Sequence, residues 1–349
     1  MAEPRRSKHT DSRIAEAIER LAGLLPEETR NRDLITEMLD AVMDVPSSHA
    51  DRGEVKIMRS TLLDFLRAFE SFSGHRDRRK VSIFGSARTP PDSALYRHCR
   101  SFSAELVKRG FMVITGAGPG IMQAGNEGAT RENSFGVNIN LPFEQSANPF
   151  IDGDEKLINF KYFFARKLAF VKESHAVVLF PGGMGTMDEG FETLTLIQTG
   201  KCNPIPVIMI DVPGGSYWID WEMFVRDVLQ RNGLISNDDF NLFRYTTDIQ
   251  KAIDEIELFY RNYHSLRYVG SECILRLKRE PTDELLALLN SRYRELLASG
   301  TFERMSSPHD AEKSEPEEVR ALPRIRFHFV QRRFGTLRRM IDTINLTDF

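Results

Sequence analysis

Apolar and polar positions follow two different patterns along the chain, and the pattern changes just before Val81. Before it, apolar residues recur every three or four positions, as at Ile14, Ile18 and Leu21, which predicts amphipathic helices. From Val81 to about Tyr263, short all-apolar runs alternate with helical patterns. Such runs are typical of strands buried on both faces of a parallel sheet. This region is therefore predicted to be α/β, with a doubly wound, Rossmann-like parallel sheet.

The pattern predicts five strands and six helices between residues 81 and 263. The strands are expected at 81–84, 111–115, 134–141, 176–180 and 205–210. The helices are expected at 93–109, 119–130, 159–174, 186–199, 217–231 and 247–263.

The same reading divides the chain into three regions. An N-terminal helical extension is expected over 1–76, a Rossmann-like domain over 77–265, and a C-terminal helical extension over 266–349. Within the last region, residues 301–323 are rich in Ser, Pro and Glu and are predicted to form a linker. The tail from Arg320 to Arg339 holds seven arginines and no acidic residue.

Composition excludes several classes of function. A net charge of −3 over 349 residues predicts no general attraction to nucleic acid or membranes. No apolar run approaches the roughly 18 residues that would span a bilayer. The three cysteines are widely spaced, and the eight histidines show no ligand spacing, so neither a disulfide framework nor a metal site is expected. These features predict a cytoplasmic protein without a cofactor.

The most informative segment is residues 181–189, Pro-Gly-Gly-Met-Gly-Thr-Met-Asp-Glu, which follows an apolar run. Glycines let a backbone approach a phosphate, and the amides that open the next helix point at it. With a helix from Thr186, Glu189 is expected in the first helical turn, beside the anion. A carboxylate beside a bound phosphate is repelled by it, so its presence indicates a catalytic role. The alternative is a stabilising role, because acidic residues are common at helix starts, where they interact favourably with the helix dipole.

Two further glycine loops follow strands, at Gly85-Ser86 and at Gly116-Ala117-Gly118-Pro119-Gly120. In a sheet of this kind ligands bind at the carboxyl ends of the strands, so three converging loops predict a phosphate-bearing ligand. The glycine spacing at 116–120 does not fit a dinucleotide fingerprint, and no Gly-Lys-Ser/Thr follows any glycine run. A mononucleotide or sugar phosphate is therefore favoured.

Arg166 lies on the preceding helix, four residues after Tyr162 and four before Phe170, so aromatic side chains are expected to flank it. An arginine on an apolar face needs an anionic partner, either Glu189 or a phosphate. A structural ion pair between two helices is an equal alternative. Lys167 points about 100° away and need not share this role. Glu192 could orient Glu189 or bind a ribose hydroxyl, but an ordinary solvated position is favoured.

With these segments in hand, the chain resembles the LOG (LONELY GUY) family of nucleotide phosphoribohydrolases, often mislabelled lysine decarboxylases. Residues 181–189 match the family's Pro-Gly-Gly-x-Gly-Thr-x-x-Glu, and Arg166-Lys167 match its Arg-Lys pair. The resemblance covers residues 80–260, and the regions outside it resemble longer bacterial forms.

The resemblance implies hydrolysis of the N-glycosidic bond of a nucleoside 5′-monophosphate, with a purine, pyrimidine or cytokinin base, to free base and ribose 5-phosphate. Arg166 and Glu189 are implied as the catalytic pair. The substrate-binding residues it implies are Gly85, Ser86, Gly116, Lys167, Gly182, Gly183, Gly185, Thr186 and Glu192. It also implies a homodimer or higher homo-oligomer. Residues 138–145 are expected near the base or ribose.

Two other functions remain open from the sequence. One is a non-catalytic nucleotide-binding regulatory protein, which the position of Glu189 disfavours. The other is recognition of single-stranded nucleic acid by the arginine-rich tail, whose alternative roles are subunit contacts or a solvated face. Nothing singles out a Schiff-base lysine for pyridoxal chemistry.

Overall fold

The computed structural model describes residues 12–29, 31–140 and 147–347. By its internal contacts the chain divides into two compact units, residues 1–63 and 64–349. The predicted boundaries near residues 76 and 265 stay predictions. No helix within the described ranges combines the length and apolar character needed to cross a membrane.

The first unit is helical. It contains α1 (Ser12–Ala22), α2 (Arg32–Asp44) and the first part of α3 (Arg52–Ser73). Arg32 ties the first two helices together, because its guanidinium donates hydrogen bonds to Ala22 O at 2.7 Å and to Leu25 O at 2.9 Å. These carbonyls lie at and just after the end of α1, where the helix itself supplies no donors.

The second unit is built on a seven-stranded parallel sheet with the order β4-β3-β2-β1-β5-β6-β7. Its strands are β1 (Lys80–Phe84), β2 (Met112–Thr115), β3 (Ser134–Ile139), β4 (Leu157–Phe160), β5 (Ala176–Leu179), β6 (Val207–Ile210) and β7 (Arg244–Thr246). The helices between these strands are α4 (Ala94–Lys108), α5 (Ile121–Ala129), α6 (Phe163–Glu173), α7 (Met184–Gln198) and α8 (Tyr217–Phe224), and α9 (Ile249–Phe259) follows β7.

Both faces of the sheet are buried, as the all-apolar runs predict. Along β5, Val177 and Leu179 belong to one hydrophobic cluster, and Ala176 and Val178 belong to the other. Alternate side chains of a strand point to opposite faces, so helices cover the sheet on each side. The predicted doubly wound, Rossmann-like fold is confirmed.

The strand order places a topological switch between β1 and β5. The chain runs outward from β1 through β2, β3 and β4, then returns to pair β5 with the other side of β1. Ser82 on β1 pairs with Val177 on β5, and Val81 pairs with Val113 on β2. The carboxyl ends of β1, β2 and β5 are therefore neighbours at the crevice where such folds bind ligands.

The region after residue 262 differs from the predicted helical extension. It forms a four-stranded antiparallel sheet in the order β10-β11-β9-β8, with β8 (Tyr263–Val269), β9 (Glu272–Leu277), β10 (Leu297–Met305) and β11 (Arg324–Phe329). The segments α10 (Asp283–Arg292), α11 (Glu317–Arg320) and α12 (Phe334–Leu346) complete it. The predicted helix from Thr282 is confirmed as α10, but it ends before the predicted Leu297.

The acidic linker and the basic tail pair with each other. Glu312 is fully buried, and its carboxylate accepts hydrogen bonds from Arg276 Nε at 2.7 Å and Arg324 Nε at 3.0 Å. Arg326 pairs with Glu303 at 3.0 Å. Because these arginines are held by carboxylates of the same chain, the predicted linker is a packed segment rather than a free one.

Candidate functional site

Three loops converge at the carboxyl edge of the parallel sheet. The loop after β1 lies between the other two, because Ser86 N donates to Pro181 O at 3.1 Å and Ile121 N donates to Ser86 O at 3.0 Å. The predicted convergence of the three loops is thus present in the structure. Each contact joins backbone to backbone, so the loops form one surface whose shape does not depend on mobile side chains.

Glycine is required where these loops touch. Gly120 has a φ of +65°, and a Cβ there would lie 2.3 Å from Ser86 O. A Cβ on Gly182 would lie 2.1 Å from Thr186 Oγ1, and one on Gly85 would lie 2.6 Å from Ile121 Cγ2. No backbone or side chain can shift enough to admit these carbons cheaply. These glycines serve the packing of the loops.

Gly183 and Gly185 differ from the packing glycines. A Cβ at either position would meet no described atom within 4 Å, so both border open space at the start of α7. The helix begins at Met184 with Gly183 as its N-cap, which supplies no side-chain hydrogen bond, and its first turn holds no acidic residue. The first backbone amides of α7 are therefore available to an anion.

This helix start corrects one prediction. Because α7 begins at Met184 rather than at Thr186, Glu189 lies in the second helical turn and not in the first. Its side chain is only 7% exposed, whereas that of the adjacent Asp188 is 60% exposed. Glu189 is therefore a buried carboxylate behind the glycine loop. It does not act as a surface residue that neutralises the helix dipole.

Arg166 is the first cationic partner of Glu189. Its Nη2 lies 3.5 Å from Glu189 Oε1, so the predicted partnership between α6 and α7 is present. The guanidinium carbon lies 4.9 Å from the centre of the Phe163 ring and 5.8 Å from that of Phe170. Phe163 thus takes the place predicted for Tyr162, which is the N-cap residue with an extended backbone before α6 begins.

Arg166 also reaches the loop after β2. A Cβ built on Gly116 would lie 3.7 Å from Arg166 Nη1 and 2.7 Å from Met122 Sδ. Gly116 is therefore required by the close approach of Met122, and the guanidinium of Arg166 lies in van der Waals range of the carboxyl end of β2. The three loops, Arg166 and Glu189 belong to one site.

Lys167 is the second cationic partner, which the angular argument from the sequence did not anticipate. Its Nζ lies 2.5 Å from Glu192 Oε2, 2.9 Å from Asp188 Oδ2 and 3.8 Å from Glu189 Oε2. The flexible four-carbon stem lets the ammonium reach α7 although its Cβ points away from Arg166. Glu192 is thus an ion-pair partner of Lys167 rather than an ordinary solvated residue.

Burial changes the acidity of this cluster. It raises the pKa of Glu189 to about 7, against the opposing effect of Lys167 and Arg166, and the nearby Glu192 and Asp188 add to the rise. Burial alone would lower the pKa of Lys167, but hydrogen bonds to Asp188 and Glu192 raise it overall. The site therefore holds a firmly protonated lysine beside a carboxyl group that exchanges its proton near neutral pH.

Glu189 also has unused hydrogen-bonding capacity. Among the residues that the structure describes, its Oε1 is buried and accepts no hydrogen bond. A buried acceptor of this kind costs free energy unless a ligand or water completes it. In the same described ranges, no group of three or more His, Cys, Asp or Glu side chains is arranged to hold a metal ion.

Two supporting residues were not predicted. The hydroxyl of Tyr217 donates a hydrogen bond to Gly182 O, and buried Asn148 donates from its backbone N to Ala117 O at 2.8 Å and from Nδ2 to Gly118 O at 3.1 Å. Each steadies one glycine loop. No spacing in the sequence signals either contact, since both join distant segments. Most of residues 138–145, expected near the base, lie outside the described residues, which stop at Asn140.

The site can be compared with known proteins. Residues 120–256 match the family described as "Possible lysine decarboxylase". This segment contains Arg166, Glu189 and the glycine loop at 181–189, whereas Gly85, Ser86 and Gly116 precede it.

Curated relatives share a short part of the chain. The pyrimidine/purine nucleotide 5′-monophosphate nucleosidases of Escherichia coli strain K12 and of Escherichia coli O157:H7 are each 28% identical over 124 residues. The match takes in 33% of this chain and only 27% of the length of each relative.

Two solved structures align with about half of the chain at low TM-scores. The molybdenum cofactor binding protein of Rippkaea orientalis is 18% identical, with a TM-score of 0.38, over 52% of this chain and 96% of its own. DNA processing protein A of Helicobacter pylori is 17% identical, with a TM-score of 0.35, over 51% of this chain and 79% of its own.

Proposed function

We propose that the chain is an N-glycosyl hydrolase that acts on nucleoside 5′-monophosphates. Residues 120–256 match the family described as possible lysine decarboxylases, and the resemblance to the LOG family points to the same group of proteins. The products are the free base and ribose 5-phosphate. The observation that carries the proposal is buried Glu189, held by Arg166 and Lys167 behind the uncapped start of α7. The nucleosidase names of the relatives support the same class of reaction.

The phosphate of the substrate binds at the start of α7. Gly183 and Gly185 leave space there, and the first amides of the helix supply donors. The loop at Ser86, joined to Pro181, forms the adjacent wall. The side chain of Thr186 is buried against Gly182. Thr186 therefore contacts the phosphate through its backbone amide and not through its hydroxyl.

Glu189 acts on the ribose. Cleavage of a glycosidic bond passes through an oxocarbenium-like state, in which positive charge builds on the sugar ring. The ionised carboxylate stabilises that charge or accepts a proton from the attacking water. Arg166 and Lys167 hold the carboxylate from two sides, which fixes its orientation and lowers the cost of ionising it in a buried position.

The family's name suggests a decarboxylase, a different chemistry that the site does not favour. Schiff-base catalysis needs a lysine whose amine loses its proton readily. Lys167 has the opposite property, because its ammonium lies against three carboxylates and its pKa is raised. Glycosidic hydrolysis by the carboxylate is therefore the better fit.

The decisive experiment is a substrate panel. The purified chain is incubated with AMP, GMP, CMP, UMP and a cytokinin riboside monophosphate, and free base and ribose 5-phosphate are separated by chromatography. Release of base by the wild type, and its loss in Glu189→Gln by about 10² or more, are the expected results. Nucleotide binding without release of any base would instead favour the regulatory, non-catalytic alternative.

We also propose that the chain forms a homodimer or a higher homo-oligomer through α6 and α7. Large apolar side chains are exposed on these helices, at Phe163, Phe164, Leu168 and Phe191, and Met184 is 90% exposed. A patch of this kind beside a polar site is typical of an interface. Light scattering should give at least twice the mass of one chain, and Phe164→Asp should lower it.

A further inference from the structure

A cavity of about 380 Å³ lies at the amino ends of β5 and β6, at the edge of the parallel sheet opposite the glycine loops. It is lined by the last turns of α6, by the segments that lead into β5 and β6, and by the start of β8, including His175, Lys201 and His264. β5 separates it from the glycine loops, and its four residues span about 13 Å at roughly 3.3 Å each. This volume is within the range of small-molecule sites.

Two lysines line the mouth of this cavity. Lys201 is exposed and forms no ion pair with any residue that the structure describes. Lys172 is exposed as well, contacts Glu173, and lies with its Nζ 4.9 Å from the centre of the Phe69 ring. At the entrance of the cavity, two ammonium groups are therefore accompanied by a single carboxylate, that of Glu173.

More cations lie behind the cavity wall, and their partners are neutral. Lys80 is 1% exposed, and its Nζ donates to His75 O at 2.6 Å and to Arg78 O at 3.1 Å. Lys278 donates to Tyr260 O, and the guanidinium of Arg79 stacks 4.3 Å above the ring of Tyr260.

Within the described part of the chain, none of these three cations forms a salt bridge with a carboxylate. Carbonyl groups and an aromatic face satisfy their donors without cancelling their charge. Lys80 thus places a buried positive charge behind the wall, on which the carboxylates of Glu173 and Asp77 act, while Arg79 is half-buried and Lys278 is exposed.

The positive charges near the cavity affect the pKa values of the two histidines that line it. Burial, together with the charges of Lys80 and Arg79, lowers the pKa of His175 to about 4. Burial also lowers the pKa of His264, with added effects of Arg276, Lys278 and Arg79. Both imidazoles are thus neutral at pH 7 and leave the charge of the cavity to its lysines and arginines.

We propose that this cavity binds a phosphorylated small molecule at a site separate from the one at Glu189. Lys172 and Lys201 contact the phosphate from the entrance, and the field of Arg79, Lys80 and Lys278 favours the anion from behind. The site shares one element with the catalytic cluster, because α6 carries Arg166 and Lys167 as well as Lys172. The proposal does not depend on the hydrolase activity.

The test is a calorimetric titration of the full chain with inorganic pyrophosphate. Four variants are compared with the wild type: the double variant Lys172→Ala/Lys201→Ala, the single variant Lys201→Ala, Arg166→Ala, and the matched control Lys251→Ala, which removes an exposed lysine on α9. Melting temperatures of all variants are measured in parallel, because exposed lysines should be replaceable without unfolding.

Pyrophosphate should still bind to the Arg166→Ala chain, because Arg166 lies at the site of Glu189 and does not line the cavity. The double variant should bind at least about ten-fold more weakly, with an intermediate loss in Lys201→Ala and no loss in Lys251→Ala. The proposal is overturned if pyrophosphate shows no binding at about 1 mM, or if the double variant binds as tightly as the control. It is also overturned if Arg166→Ala abolishes all binding.

Discussion

Replacing Glu189 with glutamine should stabilise the protein at alkaline pH, because the native carboxylate is buried at a cost. The pKa of this group is raised from its ordinary 4.5 to about 7, chiefly by burial. Each pKa unit corresponds to about 1.4 kcal/mol of difference between the protonation states, so ionising Glu189 costs the folded state about 3 kcal/mol. The residue is 5% exposed, so solvent screening reduces this little.

The sign follows from where the proton is held. Between its ordinary pKa of 4.5 and its folded pKa of about 7, the folded state keeps a proton that the unfolded state releases. The stabilising contribution is complete below the lower pKa and is lost as pH rises through the higher one. Glutamine resembles the protonated carboxyl at every pH, so the variant does not undergo this loss.

The assay is thermal and denaturant unfolding at about pH 5 and about pH 8. The variant should exceed the wild type by about 3 kcal/mol at the higher pH, which corresponds to several degrees in melting temperature, and by far less at the lower one. Asp188→Asn is the matched control, since Asp188 also contacts Lys167 but is 60% exposed. Its effect should stay below about 1 kcal/mol at both values.

Two results would refute this reasoning. One is a Glu189→Gln variant that is no more stable than the wild type at the higher pH. The other is an equal stabilisation at both pH values, which would trace the effect to packing rather than to ionisation. A gain in stability together with a loss of base release would show that the carboxylate is kept for its chemistry.

Five further outcomes follow from the structure. The rate of base release should rise as pH passes through about 7, because the ionised form of Glu189 does the work, and a pH–rate profile measures this. Gly183→Ala should keep its melting temperature but lose kcat/KM, because the added carbon enters open space meant for the ligand. Gly182→Ala should unfold at lower temperature, since its Cβ would meet Thr186 at 2.1 Å. Arg166→Ala should lower kcat about 10²-fold with substrate present in excess. Glu312→Ala should cost about 3–5 kcal/mol in denaturant unfolding, because it removes the carboxylate between two buried arginines: Arg276 keeps only Glu315, and Arg324 keeps only backbone carbonyls.

The central sheet was predictable because its strands are buried on both faces. The five predicted strands all occur, although their ends shift by one or two residues. The two missed strands, β4 and β7, form the edges of the sheet. Their residues are in part exposed, with Asn159 facing solvent and all of Arg244–Thr246 half-buried, so they lack the continuous apolar run that marks a central strand.

The C-terminal sheet was missed for a different reason. Its strands carry charged residues whose partners are far along the chain, such as Arg276, which pairs with Glu312. From the sequence alone, the acidic segment and the basic tail are both expected to lie on the surface of the protein. Their mutual neutralisation, which lets Arg324 be 3% exposed, depends on a pairing that local periodicity does not encode. Two local signals were available: the turn at Gly270-Ser271, where Gly270 has a φ of +59°, and the strict alternation of polar and apolar residues over 324–329, which became β11.

At the site, the sequence anticipated Glu189 as one of two partners for Arg166, and the structure contains that pair, but it placed Glu189 one helical turn too early and missed the contacts of Lys167. The angle between successive helix positions describes where a Cβ points, and a long lysine side chain can bend back across it. Lys167 therefore reaches three carboxylates of α7 although its neighbour Arg166 takes the inner position. The acidity of Glu189 was likewise beyond the sequence, since it depends on burial that only the packing of α6 against α7 creates.

The balance of charge explains why the glycine loop and the buried carboxylate occur together. Two cations, Arg166 and Lys167, face three carboxylates, so the cluster without a ligand is already short of positive charge. A bound phosphate adds to this deficit and raises the cost of keeping Glu189 ionised. The open amides of α7 offset part of that cost, because they hold the anion without another cation beside the carboxylate. In the reaction proposed above, the ribose becomes positive as the base leaves and supplies the missing charge, so this site would bind the transition state more tightly than the substrate.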